Sequence, residues 1–117
     1  MTRNTGALGE VLAARHLEKA GYSIITTNWH CRYGEIDIIA QKDDTLVFVE
    51  VRTRRTQTTE SAFASITPAK REKLIKSANL YLQANDIDYA WRIDVIGVAL
   101  RHGGKPHIEH VEDALDW

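Results

Sequence analysis

The sequence predicts an α/β fold in which helices flank a mixed central sheet. Three observations support this: two amphipathic helical segments without internal proline, two neighbouring β-branched runs, and a nearly continuous apolar run near the carboxyl end. Their order along the chain is α-β-β-β-α-β-β. A length of 117 residues with 44% hydrophobic content suits a single domain, residues 1–117, built around one core.

The first helix is predicted over residues 5–20, with Asn4 or Thr5 as N-cap and Gly21 as the stop. The fourteen residues 53–66 show no periodicity and are predicted to form a loop. The remaining elements are a strand at 22–30, a hairpin of strands at 34–40 and 46–52, a helix at 68–84, a buried strand at 91–100 and an edge strand at 106–111.

The hairpin carries acidic residues inside otherwise apolar strands. A two-residue turn at residues 43–44 would place Asp37 opposite Glu50, and Glu35 opposite Arg52. Opposed carboxylates about 5 Å apart repel, so this arrangement needs a cation or a shared proton. Carboxylate oxygens suit Mg²⁺ or Mn²⁺. The pattern therefore predicts a metal site, and the competing interpretation is a hairpin with one solvated face.

The same register sorts the apolar residues of the hairpin between its two faces. Ile36, Ile38 and Val49 are predicted to lie on the apolar face. Ile39 and Phe48 are predicted to lie on the acidic face as an opposed pair. A partly covered acidic face indicates a cleft.

The first helix offers a third carboxylate. Glu10 shares one helix face with Ala13, Ala14 and Leu17. Small residues on that face would let the helix approach a sheet closely and bring Glu10 to the hairpin acids. The alternative is a solvated acid near a helix N-terminus.

Four short motifs follow one another along nearly the whole chain: Gly9-Glu10, Gly34-Glu35-Ile36-Asp37, Phe48-Val49-Glu50-Val51-Arg52 and Thr67-Pro68-Ala69-Lys70. Their order and spacing resemble the YraN family, within the PD-(D/E)xK, restriction-endonuclease-like superfamily that includes archaeal Holliday-junction resolvases. The resemblance implies a restriction-endonuclease-like sandwich. It also implies a metal-dependent endonuclease that hydrolyses DNA phosphodiester bonds, in branched or repair intermediates.

The resemblance further assigns roles to particular residues. It implies that Asp37 and Glu50 bind the catalytic Mg²⁺ or Mn²⁺, with the Val51 carbonyl beside them. Glu10 would complete the acidic group and orient a metal-bound water. The expected catalytic set is therefore Glu10, Asp37, Glu50 and Arg52.

Arg52 departs from the superfamily pattern, because it stands at the position of the usual lysine. A guanidinium can polarise a phosphate or an attacking water, but it stays charged and cannot act as a base. Lys70, at the start of the next helix, is the alternative source of an amine.

The charge of the chain is unevenly distributed. The net charge is −1, which argues against general nucleic-acid binding, but residues 51–76 carry seven Lys or Arg against two Glu. This segregation predicts a basic face for a phosphate backbone, and the alternative is a solvated helix and loop. The expected nucleic-acid contacts are Arg52, Arg54, Arg55, Lys70 and Lys73.

The other notable residues do not indicate a second catalytic site. The three histidines between residues 102 and 110 lack the partners of a zinc site, and Cys31 has no partner for an internal disulfide. Asp94 is expected to be a hydrogen-bonded structural acid. Trp29 and Tyr33 could stack on an unpaired base or pack against the core. No run reaches membrane-spanning length and no signal-peptide pattern is present, so a cytoplasmic location is expected.

The sequence thus predicts a metal-dependent nuclease acting on DNA, and a homodimer would suit a junction resolver. One alternative is a catalytically silent nucleic-acid-binding module of the same fold. Another is a scaffold whose acidic hairpin binds a protein partner. Divalent-metal binding separates the nuclease from the scaffold, and turnover separates it from the silent module.

Overall fold

The computed structural model describes residues 5–114. None of the helices within that range is long and apolar enough to cross a membrane. The elements in chain order are α1 (Thr5–Lys19), β1 (Ser23–Cys31), β2 (Gly34–Lys42), β3 (Thr45–Arg54), α2 (Glu60–Ala64), α3 (Pro68–Ala84), β4 (Trp91–Ala99) and β5 (His107–Val111).

The five strands form one mixed sheet in the order β1-β2-β3-β4-β5. The pairs β1–β2, β2–β3 and β4–β5 are antiparallel, whereas β3 and β4 are parallel. A parallel neighbour requires a crossover connection, and α2 and α3 supply it. The predicted α/β class and the predicted order of the main elements are confirmed.

Helices cover both faces of the sheet. On one face, Ala13 and Leu17 of α1 pack with Val49 of β3 in a fully buried cluster. On the other face, Tyr81 of α3 packs edge-on against Phe48, with ring centroids 5.6 Å apart. The strands β2 and β3 are antiparallel, so the start of β2 lies beside the end of β3, and α1 and α3 approach this region from opposite faces of the sheet.

The approach of α1 to the sheet depends on Gly9. A Cβ atom at Gly9 would lie 1.8 Å from the Oγ1 atom of Thr53 on β3, so no larger residue fits without movement. Thr53 Oγ1 is buried and has no hydrogen-bond partner among residues 5–114. Gly9 thereby lets the following residue, Glu10, reach the sheet.

The predicted hairpin register is confirmed at the turn end, where Lys42 pairs with Thr45 and Ile39 pairs with Phe48. The ladder continues only as far as Ile38 and its partner on β3. The prediction for Ile36 was wrong, because it packs with Phe48 on the α3 face and not with Ile38. Side chains of β2 do not alternate strictly between the two faces of the sheet, because the pairing of β2 with β1 skips Asp37, between Ile36 and Ile38.

The predicted loop at residues 53–66 was also wrong in part. Its first two residues extend β3, and α2 occupies Glu60–Ala64. Tertiary packing places this short helix, since Ala62 is fully buried and the Phe63 ring would lie 3.0 Å from a Cβ at Gly97 of β4. The N-cap candidate Asn4 lies outside the described residues.

Candidate metal centre and nucleic-acid interface

Four carboxylates from three elements meet where β2 and β3 separate. Oxygen atoms of Glu10 (α1), Glu35 and Asp37 (β2) all lie within 4.8 Å of one another. The carboxyl of Asp37 also lies within hydrogen-bonding reach of Glu50 on β3. The structure thus brings together the predicted acids Glu10, Asp37 and Glu50, and adds Glu35.

Asp37 occupies the point at which the β2–β3 ladder is interrupted. The backbone N–H of Val51 donates a hydrogen bond of 2.8 Å to Asp37 Oδ2. In the hairpin register that N–H would face the backbone of Ile36, so the carboxylate takes the place of a strand partner. One oxygen of Asp37 is therefore fixed by the backbone. The predicted role of the Val51 carbonyl as a metal ligand stays a prediction.

Burial and crowding change the acidity of the central pair. Burial, followed by the charge of Glu50, raises the pKa of Asp37 from 3.8 to about 9. Burial likewise raises the pKa of Glu50, although the hydrogen bond with Asp37 and the charge of Arg52 oppose the shift. The two carboxyls therefore share a proton near neutral pH. A cation bound beside Asp37 and Glu50 would displace this shared proton.

Asn28 on β1 links two of the four acids and was missed by the sequence reasoning. Its Nδ2 donates to Glu10 Oε1 at 2.7 Å and to Glu35 Oε1 at 3.0 Å. Asn28 has a φ of 52°, and the β1–β2 pairing skips Asn28 and Asp37 while keeping its register on either side. Asparagine tolerates this left-handed conformation, but no sequence pattern marked the position.

Two neighbours hold Arg52 in place. Its Nη1 donates to Glu50 Oε2 at 3.3 Å, and its Nε donates to the hydroxyl of Ser65 at 2.8 Å. Ser65 follows α2 directly, so the helix that the sequence reasoning missed orients this guanidinium. The Arg52 side chain is 19% exposed, and its Nη2 makes no hydrogen bond to any residue in 5–114. That nitrogen can serve an incoming anion.

A cavity of about 240 Å³ opens beside the acids on the α3 side. Its walls include Glu35, Glu50, Arg52, Lys70 and Lys73. The charge of Lys70 acts on Glu50 and favours its ionised form. Three of the five predicted nucleic-acid contacts therefore share one cavity with two of the acids.

The other two predicted contacts lie elsewhere. Arg54 donates from Nη1 to the carbonyl of Thr53 at 2.8 Å. Arg55 donates from Nε to Thr5 Oγ1 at 3.2 Å and lines a separate groove with Arg101. The structure does not bring Arg54 and Arg55 into the cavity that contains Lys70.

Asp94 is a structural acid, as predicted. It is fully buried, and its oxygens accept hydrogen bonds from Arg92 at 2.9 Å and from the backbone N–H of Asp113 at 2.9 Å, with the His110 ring at 2.7 Å. Burial raises the pKa of Asp94, but the hydrogen bonds outweigh burial and hold it below its usual value. This network is separate from the acidic residues around Asp37.

Comparison with known proteins places the chain in a family. A family model described as "Uncharacterised protein family UPF0102" matches residues 9–98, which include all four acids, Arg52, Lys70 and Lys73. A UPF0102 protein of Chloroflexus aurantiacus is 47% identical over 115 residues, covering 97% of this chain and 93% of that protein. A UPF0102 protein of Syntrophus aciditrophicus is 44% identical over 119 residues, covering 99% and 93%. One from Syntrophomonas wolfei is 43% identical over 116 residues, covering 98% and 100%. The chain therefore belongs to the UPF0102 family, which is the YraN family that its motifs resemble.

Proposed function

We propose that this protein is a divalent-metal-dependent endonuclease that hydrolyses phosphodiester bonds in DNA. One observation carries the proposal: four carboxylates converge around Asp37, next to a cavity that also contains Arg52, Lys70 and Lys73. Acids alone would repel a phosphate backbone. Acids beside basic residues suit a site that holds a cation and a polyanion together.

The donor set fits a hard divalent ion. Carboxylate oxygens are the ligands that Mg²⁺ and Mn²⁺ prefer. The pKa of Asp37 is raised by burial and then by the charge of Glu50, so a cation beside the pair would offset the cost of ionising both buried carboxyls. Asp37 belongs to two groupings, one with Glu50 and one with Glu10 and Glu35. An ion held by Asp37 and Glu50 is the simplest arrangement, and Glu10 and Glu35 would then bind its water ligands or a second ion.

A bound Mg²⁺ or Mn²⁺ supplies positive charge to the phosphate and lowers the pKa of a coordinated water. The chain's own residues do the rest. Arg52, fixed by Glu50 and Ser65, points donors into the cavity where negative charge builds on the phosphate oxygens. Arg52 cannot accept a proton, so a carboxylate or Lys70 must do so if a protein base is used.

Cleavage of a panel of single-stranded, duplex and branched DNA tests the proposal. We expect products with Mg²⁺ or Mn²⁺ from the wild-type protein and none from Asp37→Ala. The Asp44→Ala variant is a matched control, because Asp44 is an exposed acid in the distant hairpin turn. Equal cleavage by the wild type and Asp37→Ala would refute the proposal.

Arg52 at the usual lysine position favours a second candidate, a nucleic-acid-binding module of the same fold without turnover. This candidate predicts DNA binding by the wild type but no products with either ion on any substrate of the panel. Restoring the amine with Arg52→Lys would then be informative, since turnover gained by that variant identifies the missing group.

A further inference from the structure

Tyr33 occupies the two-residue turn between β1 and β2, at the edge of the acidic site. The turn joins Cys31 to Gly34, and the Tyr33 side chain is partly exposed. From the sequence, Trp29 and Tyr33 could each stack on an unpaired base or pack against the core. Trp29 packs edge-on against Tyr81 in the core, with ring centroids 5.2 Å apart, and is therefore committed to the fold. Tyr33 is the aromatic residue that remains available.

Two cations lie over the Tyr33 ring. The guanidinium carbon of Arg32 is 5.0 Å from the ring centroid, and its Nη2 donates to the Tyr33 hydroxyl at 3.0 Å. The Nζ atom of Lys76 is 5.7 Å from the same centroid. A base that stacks on Tyr33 would displace one of these cations from the ring, and the displaced cation would then lie beside the phosphates of the same strand.

Tyr33 also forms a wall shared by two cavities. One is the cavity of about 240 Å³ that contains Glu50 and Lys73. The other, of about 160 Å³, is lined by Arg32, Lys76 and further residues of α3. The two cavities thus form one strip of surface that runs along α3, over Tyr33 and into the acidic site. We call this strip, with Arg32, Lys70, Lys73 and Lys76 along it, the lane.

The charges of this lane are available to a ligand. Within residues 5–114, Arg32, Lys70 and Lys73 form no ion pair with a carboxylate. Lys76 pairs with Glu72 at 3.2 Å, but both side chains are more than half exposed. Such a surface pair is weak and can exchange for a phosphate at little cost.

We propose that an unpaired DNA strand follows this lane, with one base stacked on Tyr33 and the neighbouring phosphates on Lys73 and Lys76. The inference deepens the proposed nuclease function by naming its substrate class, DNA with a single-stranded segment. In a continuous duplex both faces of each base are covered, whereas an unpaired base offers a face to Tyr33.

Binding in metal-free buffer tests the inference without requiring turnover. Fluorescence anisotropy would be measured with a labelled oligo(dT) strand in the presence of EDTA, for the wild type, Tyr33→Phe and Tyr33→Leu. We expect Tyr33→Leu to bind roughly 5- to 150-fold more weakly, the range typical for loss of one stacked base. Tyr33→Phe keeps the ring and should bind as the wild type does.

Two comparisons separate stacking from other effects. Tyr89→Leu is the matched control, because Tyr89 is 44% exposed and contacts Gln41 near the far end of β2. It should leave binding unchanged. Tyr33→Leu should keep the salt dependence of the wild type, since no phosphate contact is lost, whereas Lys73→Ala should reduce the slope of log K against log salt by about 0.7.

Equal oligo(dT) affinity for the wild type and Tyr33→Leu would overturn the inference, whether or not the protein cleaves DNA. Tighter binding of blunt duplex than of oligo(dT) by the wild type would also overturn it. A Tyr33-dependent preference for the single strand, in a protein that cleaves nothing, would uphold the inference while the nuclease proposal fails. Thermal melting of each variant establishes that the fold is retained.

Discussion

Replacing Asp37 by asparagine should stabilise the metal-free protein at neutral pH. The amide is nearly isosteric, can still accept the hydrogen bond from the Val51 N–H, and carries no charge. In the wild type the pKa of Asp37 is raised from 3.8 to about 9 by burial and by Glu50. The folded protein therefore binds a proton that the unfolded chain releases.

The sign of the pH dependence follows from proton linkage. Between pH 4 and pH 9 the native state binds more protons at this pair than the unfolded state does, so the free energy of unfolding falls as pH rises. One extra proton corresponds to at most about 1.4 kcal/mol per pH unit. Between pH 5 and pH 7 the wild type should lose up to about 3 kcal/mol that Asp37→Asn does not lose.

Urea unfolding, followed by tryptophan fluorescence in EDTA, measures this difference. Trp29 is a suitable reporter because it packs against Tyr81 in the core. Asp44→Asn serves as the control, since Asp44 lies exposed in the hairpin turn. Parallel stability curves for the wild type and Asp37→Asn from pH 5 to pH 8 would refute the reasoning, because Asp37 would then be ionised like a solvated acid.

Three further substitutions test Arg52, the close approach of α1 at Gly9 and the buried network around Asp94. Arg52→Ala should slow single-turnover cleavage by raising its activation free energy by on the order of 3 kcal/mol, while Arg52→Lys should retain or raise the cleavage rate. A wild-type cleavage rate for Arg52→Ala would exclude a chemical role for Arg52. Gly9→Ala should destabilise the protein by roughly 1–3 kcal/mol in urea unfolding and weaken Mn²⁺ binding, because α1 must move away from Thr53 and take Glu10 with it. Unchanged Mn²⁺ affinity in that variant would show that Glu10 is not needed. Asp94→Ala should cost about 3–5 kcal/mol of stability by leaving buried partners unpaired, yet cause no change in Mn²⁺ affinity at a temperature where the variant is folded.

Much of the fold was predictable because its signals are local. The start of α3 at Pro68 follows from Thr67 as N-cap and Pro68 at the first helical position. The structure has that capping bond, from the Lys70 N–H to Thr67 Oγ1 at 3.2 Å. The two-residue turn fixed the hairpin register near Lys42. These features depend on a few neighbouring residues, so the sequence carries them directly.

The parts that could not be predicted depend on contacts between distant elements. α2 has only five residues and exists because it packs against β4, so periodicity could not reveal it. Asn28 interrupts the β1–β2 pairing beside Asp37, and the alternation of side chains between the two faces of β2 breaks there. The prediction assumed unbroken alternation and therefore assigned Ile36 to the wrong face of the sheet. Strict alternation placed Glu35 on the acidic face with Asp37, opposite Arg52, but it did not indicate the hydrogen bonds through which Asn28 joins Glu35 to Glu10.

Titration calorimetry with Mn²⁺ tests the central claim most directly, because it requires no knowledge of the substrate. The claim is that the acids around Asp37 hold a divalent ion. We expect the wild type to bind Mn²⁺ with release of a proton, and therefore more tightly at pH 8 than at pH 6. Binding should fall sharply in folded Asp37→Ala and Glu50→Ala and persist in Asp44→Ala. Wild-type affinity in both Asp37→Ala and Glu50→Ala would contradict the account.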